Sequence, residues 1–287
     1  MNSLHFRILN KILQRNFSQA VPRDLTFQYL EGPQKGIAVC GLNRPSAKNA
    51  FSRNLLDELH KTIDKISFEN KARVFVLRSM VPGAFCSGAD LKERATMTPQ
   101  EVSSFVSNLR YMMTRLHNLQ IPIIAAIDGL ALGGGLEIAL ACDIRIASET
   151  SKLGLVETKL AILPGAGGTQ RLPRIINPSL AKELIFTARI FDGKYAKEIG
   201  IVNHVVPQNE TEDAAYQKAI SISEEILPNG PVAVKMAKLA INKGIEVDLH
   251  SGLSIEESCY QHVIPTKDRT EGLNAFKEKR RPEYVGQ

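Results

Sequence analysis

Two carboxylates, Glu137 and Glu157, stand twenty residues apart in apolar surroundings. Glu137 falls in the first turn of a predicted helix that continues Ile138, Ala139, Leu140, Ala141. A carboxylate buried there is expensive unless it has a partner or a task. Glu157 precedes the apolar, glycine-rich run from Ala161 to Thr169, which suits a pocket wall. Two carboxylates in such settings can hold different protonation states, so that one accepts a proton while the other delivers one. Directly before Glu137 lie Gly133, Gly134 and Gly135. Bare backbone N–H groups at a helix start lack intrahelical partners and carry the positive end of the dipole. This suits a developing oxyanion, where one well-placed donor is worth about 3–4 kcal/mol of barrier. On their own the glycines equally suit a tight turn with close helix packing. No Gly-Lys-Ser/Thr follows them and no GxGxxG opens a strand-turn-helix unit, so neither a phosphate loop nor a dinucleotide fingerprint is present. The run from Phe85 to Lys92 supplies a second small-residue turn with free N–H groups.

The elements that must hold these residues alternate along the first half of the chain. β-type runs cover Thr26 to Tyr29 and Ile37 to Leu42. Ser52 is placed to cap a helix reaching Phe68, with Leu55, Leu56, Leu59, Ile63 and Ile66 at helical spacing. Val74 to Arg78 reads as a strand, and Thr98-Pro-Gln-Glu101 as a capping box opening a helix to Asn118. Strands follow at Ile121 to Ile127 and Asp143 to Ala147, flanking the helix that carries Glu137. This alternation implies parallel strands covered by helices, an α/β class. From Ser179 onward the strand signal survives only at Ile201 to Val206, and helices dominate.

Composition excludes several alternatives. At 44% hydrophobic and 23% charged, the chain has the make-up of an ordinary globular protein. Cys40, Cys86, Cys142 and Cys259 are scattered without CxxC, which argues for buried thiols rather than disulfides or a cysteine-built zinc site. The six histidines show no ligand spacing. Ile121 to Cys142 carries only Asp128 and Glu137 as charges, yet Pro122 and its glycines break it into pieces too short to span a bilayer. The net charge of +6 includes Arg7, Lys11 and Arg15, and falls to +3 without the first seventeen residues. The remainder is too weak to argue for nucleic acid. Those three cations recur every four residues opposite Ile8, Leu9, Ile12 and Leu13, with no acid before Asp24. Such a basic amphipathic helix is the pattern of a mitochondrial transit peptide over 1–17, with cleavage near Ser18.

The motifs taken together resemble the crotonase, or enoyl-CoA hydratase/isomerase, superfamily. The matching runs are Asn43-Arg-Pro45 with Asn49-Ala50, Phe85 to Asp90, Ala126 to Glu137, Ala141 to Asp143, Gly154 to Glu157 and Leu163 to Arg171. The resemblance implies a spiral of ββα repeats over 18–200 and a helical trimerisation region over 201–287. It implies an oxyanion hole formed by the N–H groups of Ala89 and Gly134, and a CoA path past Ala89, Asp90, Leu91 and Lys92. Hydratases of this family keep both glutamates, so Glu137 and Glu157 imply addition of water to an enoyl thioester in the matrix. Family precedent gives the C2 proton to Glu157, while the sequence leaves the two protonation states open. No metal or redox cofactor is implied; CoA belongs to the substrate. Homotrimers or dimers of trimers are expected, with Lys279 and Arg280 either reaching CoA phosphates across a subunit boundary or forming a cationic tail.

Cys86 to Ala95, Gly154 to Ile162 and Ile264 to Arg269 resemble a branch of the family that acts in leucine breakdown and also binds AU-rich RNA. Its substrate ends in a second carboxylate, which makes Arg94 and Arg110 candidate acyl-pocket cations. RNA binding in that branch is associated with a lysine-rich helix after the Asn-Arg-Pro segment. Here Arg53, Lys61, Lys65 and Lys71 are interleaved with Asp57, Glu58, Asp64 and Glu69, so RNA is expected to bind weakly at most.

Overall fold

The computed structural model describes residues 23–287; the amphipathic segment 1–17 and the cleavage point near Ser18 lie outside them. Strand β1 (Leu25–Tyr29) runs antiparallel to β2 (Ile37–Leu42), pairing Leu25 with Leu42. Helix α1 (Arg53–Glu69) begins where Ser52 Oγ accepts the Leu55 N–H at 3.1 Å, and it buries the five aliphatic positions that define its apolar stripe. Then come β3 (Val74–Ser79), β4 (Ala84–Cys86), the single turn α2 (Leu91–Arg94) and α3 (Pro99–His117). Thr98 and Glu101 make both bonds of the capping box at the start of α3. The chain continues through β5 (Ile123–Ile127), β6 (Leu130–Leu132), α4 (Gly134–Leu140), β7 (Ile144–Ser148) and β8 (Lys152–Gly154). A 3-10 turn (Glu157–Leu160) leads to α5 (Gly168–Ile175) and α6 (Pro178–Phe186). Next are β9 (Phe191–Asp192), α7 (Gly193–Glu198) and β10 (His204–Val206). Four helices follow: α8 (Ala214–Ile226), α9 (Pro231–Gly244), α10 (Leu249–Val263) and α11 (Lys267–Glu278).

These strands form two sheets. The first has the order β1-β2-β3-β5-β7-β10 and is parallel beyond the β1–β2 hairpin; the second has the order β4-β6-β8-β9. Three successive units, β3/β4, β5/β6 and β7/β8, each place their first strand in the first sheet and their second strand in the second. That is the expected spiral of ββα repeats. The central strands are buried on both faces, as helix-covered parallel strands must be. Alternate residues therefore enter different cores: Phe75, Leu77, Ile123 and Ala125 join the larger cluster, while Val74, Val76, Ile124 and Ala126 pack beneath α8.

The expected division at residue 200 coincides with no break in packing. β10 pairs in parallel with β7, and α8 puts Ala215, Ala219, Ile220 and Ile222 into the second core cluster. Only from α9 does the chain leave the two-sheet body. None of the residues of α9 is buried, and its anchor is polar. Lys238 Nζ meets Asp143 Oδ2 at 2.7 Å and donates to the Ile121 carbonyl at 2.9 Å. Ile241, Ile245, Leu249, Leu253 and Phe276 remain exposed along this helical region. All four cysteines are free and buried. Among the described residues, no helix is long and apolar enough to cross a membrane.

Candidate active site

Three neighbouring strands of the second sheet end at the residues singled out for chemistry. Ala89 follows β4 by three residues, Gly134 follows β6 by two, and Glu157 follows β8 by three. Because β4, β6 and β8 are mutually parallel, these ends lie on one side, at the strand spacing of about 4.8 Å. The first two turns approach closely. Gly88 has φ +99°, and a Cβ there would sit 3.0 Å from the Leu132 carbonyl and 3.5 Å from the Gly134 nitrogen. Gly135 is more constrained, since an added Cβ would lie 2.0 Å from the Cys86 carbonyl oxygen. Only a bare backbone lets α4 start this near β4. Among the described residues the Ala89 and Gly134 N–H groups make no hydrogen bond, so both donors stand free beside one another.

The turn carrying Ala89 is fixed by a clamp built on Arg44 and Asn49 of the Asn-Arg-Pro and Asn-Ala motifs. Asn49, fully buried at φ +58°, donates through Nδ2 to Ser79 Oγ at 2.8 Å and to the Phe85 carbonyl at 2.9 Å. Its Oδ1 accepts the Arg44 N–H at 2.7 Å. Phe51 N–H donates to Gly88 and Asp90 N–H to Phe51, so the strand-like bridge turns the intervening Ala89 N–H the other way. Asp90 caps α2, accepting from Lys92 N–H at 3.0 Å and Glu93 N–H at 3.1 Å, and pairs with Arg44 at 2.7 Å. Its carboxylate is thus occupied in shaping the turn. Leu91 and Lys92 are exposed.

Glu137 is 3% exposed, in the first turn of α4. Its Oε1 accepts the N–H groups of Ala166 and Gly168, each at 2.8 Å. Gly168 opens α5, so the positive end of a helix faces the carboxylate. The glycine-rich run read as a pocket wall therefore does more than line a cavity: it fixes the orientation of Glu137. Helix α5 itself was not foreseen, because Pro173 interrupts its pattern. Burial pushes the Glu137 carboxyl above its ordinary range, against the Gly168 and Ala166 N–H groups and the Arg171 charge.

Glu157 begins the 3-10 turn, and its Oε1 lies against the backbone of Gly133, where an added Cβ would be 3.0 Å away. Its Oε2 is buried without a hydrogen-bond partner. Burial, reinforced by the charge of Glu137, pushes Glu157 up to about 7; Arg94 acts in the opposite direction. The site thus holds one carboxylate committed to two donors and a second with a free, buried oxygen. The charge of Arg94 acts to lower Glu157 and that of Arg110 to lower Glu137; Arg110 also donates through Nε to the Gly165 carbonyl at 2.9 Å.

Other charged candidates lie elsewhere. Arg280 is held by Glu271 at 2.5 Å and Glu278 at 2.7 Å, and Lys279 ends α11 in the left-handed region. On α1 and its flank, Lys61 pairs with Asp57, Lys71 with Glu69 and Arg53 with Glu101, at 2.9, 3.3 and 3.0 Å. Among the described residues there is no group of three His, Cys, Asp or Glu side chains able to hold a metal ion.

A profile described as Enoyl-CoA hydratase/isomerase matches residues 32–287. Human methylglutaconyl-CoA hydratase, mitochondrial, is 59% identical over 92% of this chain and 78% of its own length. Probable enoyl-CoA hydratase 2, mitochondrial, from Arabidopsis thaliana is 51% identical over 92% of this chain and 87% of its own. The crystal structure of an enoyl-CoA hydratase from Bacillus anthracis superposes with a TM-score of 0.87 at 50% identity, covering 92% of this chain and all of that one. With a profile spanning nearly all the described residues and the ββα spiral in common, this chain belongs to the enoyl-CoA hydratase/isomerase family of the crotonase superfamily.

Proposed function

We propose that the chain hydrates the C2–C3 double bond of an enoyl-CoA thioester, with 3-methylglutaconyl-CoA of leucine degradation as its substrate. The observation that carries the chemistry is the unequal treatment of the two glutamates. Burial raises both carboxyls, but at Glu137 the Gly168 and Ala166 N–H groups and the Arg171 charge oppose it, so Glu137 serves as the carboxylate that takes a proton from water as the oxygen attacks C3. Glu157, raised to about 7 with Oε2 free, is protonated in a large fraction of molecules near neutrality and delivers its proton to C2. The thioester carbonyl takes up negative charge during the attack, and the free N–H groups of Ala89 and Gly134 receive it. Water is thereby added as OH at C3 and H at C2, and proton exchange between the glutamates and solvent resets the pair. The CoA portion runs along Ala89, Asp90, Leu91 and Lys92, and no cofactor beyond the substrate takes part.

The methylglutaconyl assignment rests on the human relative at 59% identity. Its mitochondrial name and the basic N-terminal pattern support action in the matrix. The exposed apolar side chains of α9 to α11 support assembly into a homotrimer or a dimer of trimers. RNA binding is not part of this reading, because the cations of α1 and its flank face acids of the same chain. A turnover panel comparing methylglutaconyl-CoA with crotonyl-CoA tests the proposal. Glu137→Gln and Glu157→Gln are each expected to lose about 100-fold or more in kcat. A near-normal rate in either variant sinks the two-glutamate mechanism; faster turnover of crotonyl-CoA by the unmodified chain overturns the substrate.

A further inference from the structure

The cations around the site differ in what they already hold. Arg44 is paired with Asp90, and Arg171 donates to the Ala166 carbonyl at 3.0 Å. Arg110 is exposed and donates to the Gly165 carbonyl. Arg94, the last residue of α2, is half-buried, and its guanidinium makes no hydrogen bond or ion pair among the described residues. Its charge nonetheless reaches Glu157. A partly desolvated guanidinium with five unused donors is a ready seat for an anion, and its planar fork matches a carboxylate.

We propose that Arg94 is the specificity-determining residue that binds the terminal carboxylate of a dicarboxylic acyl chain; this deepens the substrate reading above and rests on it. In a five-carbon enedioyl thioester the second carboxyl carbon stands two bonds from C3, each about 1.5 Å long. C3 must lie between Glu137 and Glu157 to be hydrated, so the extra negative charge arrives within a few ångströms of two carboxylates. Such a substrate is repelled unless a cation stands on the same side of the cavity. Arg94 answers that requirement from the end of α2, four residues beyond Asp90 and on the segment that leads directly from the oxyanion turn. A chain ending in a methyl group gains nothing from it.

The test measures kcat/KM for methylglutaconyl-CoA and crotonyl-CoA in the full chain and in Arg94→Gln, Arg94→Lys and Arg110→Gln. The readout is the ratio of the two values within each protein, which cancels any common effect of Arg94 on Glu157 or on folding. Arg94→Gln is expected to lower the ratio by about 30–100-fold, the range of a charged hydrogen-bonded contact. Arg94→Lys restores part of it, and Arg110→Gln leaves it within about threefold. An unchanged ratio in Arg94→Gln overturns the proposal. So does an equal rise in KM for both thioesters, which assigns the guanidinium to CoA phosphates. If the unmodified chain itself shows no preference for the dicarboxylic thioester, the substrate reading fails first and takes this inference with it.

Discussion

Replacing Glu157 by glutamine separates the site's chemistry from its cost in stability. Burial and the neighbouring Glu137 push this carboxyl from the ordinary 4.5 to about 7 in the native state. For an acid whose native pKa is raised, the native state binds the extra proton, so the associated stability is fully present below about 4.5. It declines as pH rises and is gone once the pH exceeds about 7. At about 1.4 kcal/mol per pH unit, an ionised Glu157 costs the fold up to about 3 kcal/mol. Glutamine keeps the shape and removes the charge. We expect urea unfolding of Glu157→Gln at pH 8 to give a stability up to about 3 kcal/mol above the unmodified chain, and the two to converge near pH 4.5. Over the same range the variant loses hydratase turnover by two orders of magnitude or more. In the unmodified chain, kcat/KM falls on the alkaline side with an apparent pKa near 7 as the free enzyme gives up the Glu157 proton. Parallel stability profiles with no gap at pH 8 would refute the reasoning, because they would mean that Glu157 is solvated and not strained.

Two further outcomes test the scaffold. Gly135→Ala drives a methyl group into the Cys86 carbonyl, which sits 2.0 Å from the position it would take, and should cost at least about 3 kcal/mol in chemical denaturation. Near-native stability there would contradict the close packing of α4 on β4. Asn49→Ala removes the Ser79, Phe85 and Arg44 bonds and leaves alanine in the left-handed region, with an expected loss of about 3 kcal/mol. It should also lower kcat by loosening the Ala89 donor while leaving the alkaline pKa of the rate profile in place; a shifted pKa would indicate that Asn49 acts on the glutamates instead.

The sequence showed long elements better than short ones. Helix α1, with a stripe from Leu55 to Ile66, and α3, with its capping box, were legible because period and cap agree over four or more turns. Strands β4, β6 and β8 were not, because three residues carry no alternation to detect. Yet these are the strands that align the site, and the motif match at Phe85 to Asp90 and Ala126 to Glu137 stood in for the missing signal. Glu137 and Glu157 could be named from their apolar neighbours. The difference between them could not, since it depends on Ala166 and Gly168, some thirty residues downstream of Glu137, and on an orphaned oxygen at Glu157. The clamp at Asn49 was visible only as part of a motif; its partners, Ser79 and Phe85, are distant in sequence and meet it through the turn of the spiral.

That spiral works as a ruler. The spacing between the Ala89 donor, the Gly134 donor and Glu157 is set by hydrogen-bonded contact between neighbouring strands, not by the length of chain that joins them. Between the first mark and the second the chain makes a long excursion through all of α2 and α3 before it returns to the sheets in β5 and β6, and the length of that excursion does not set the interval. Loops and helices between the strands are therefore free to drift in length and to reshape the acyl cavity, while the gap that grips a thioester stays constant. Substrate range can evolve in the detours, and the reaction's geometry is inherited with the ladder.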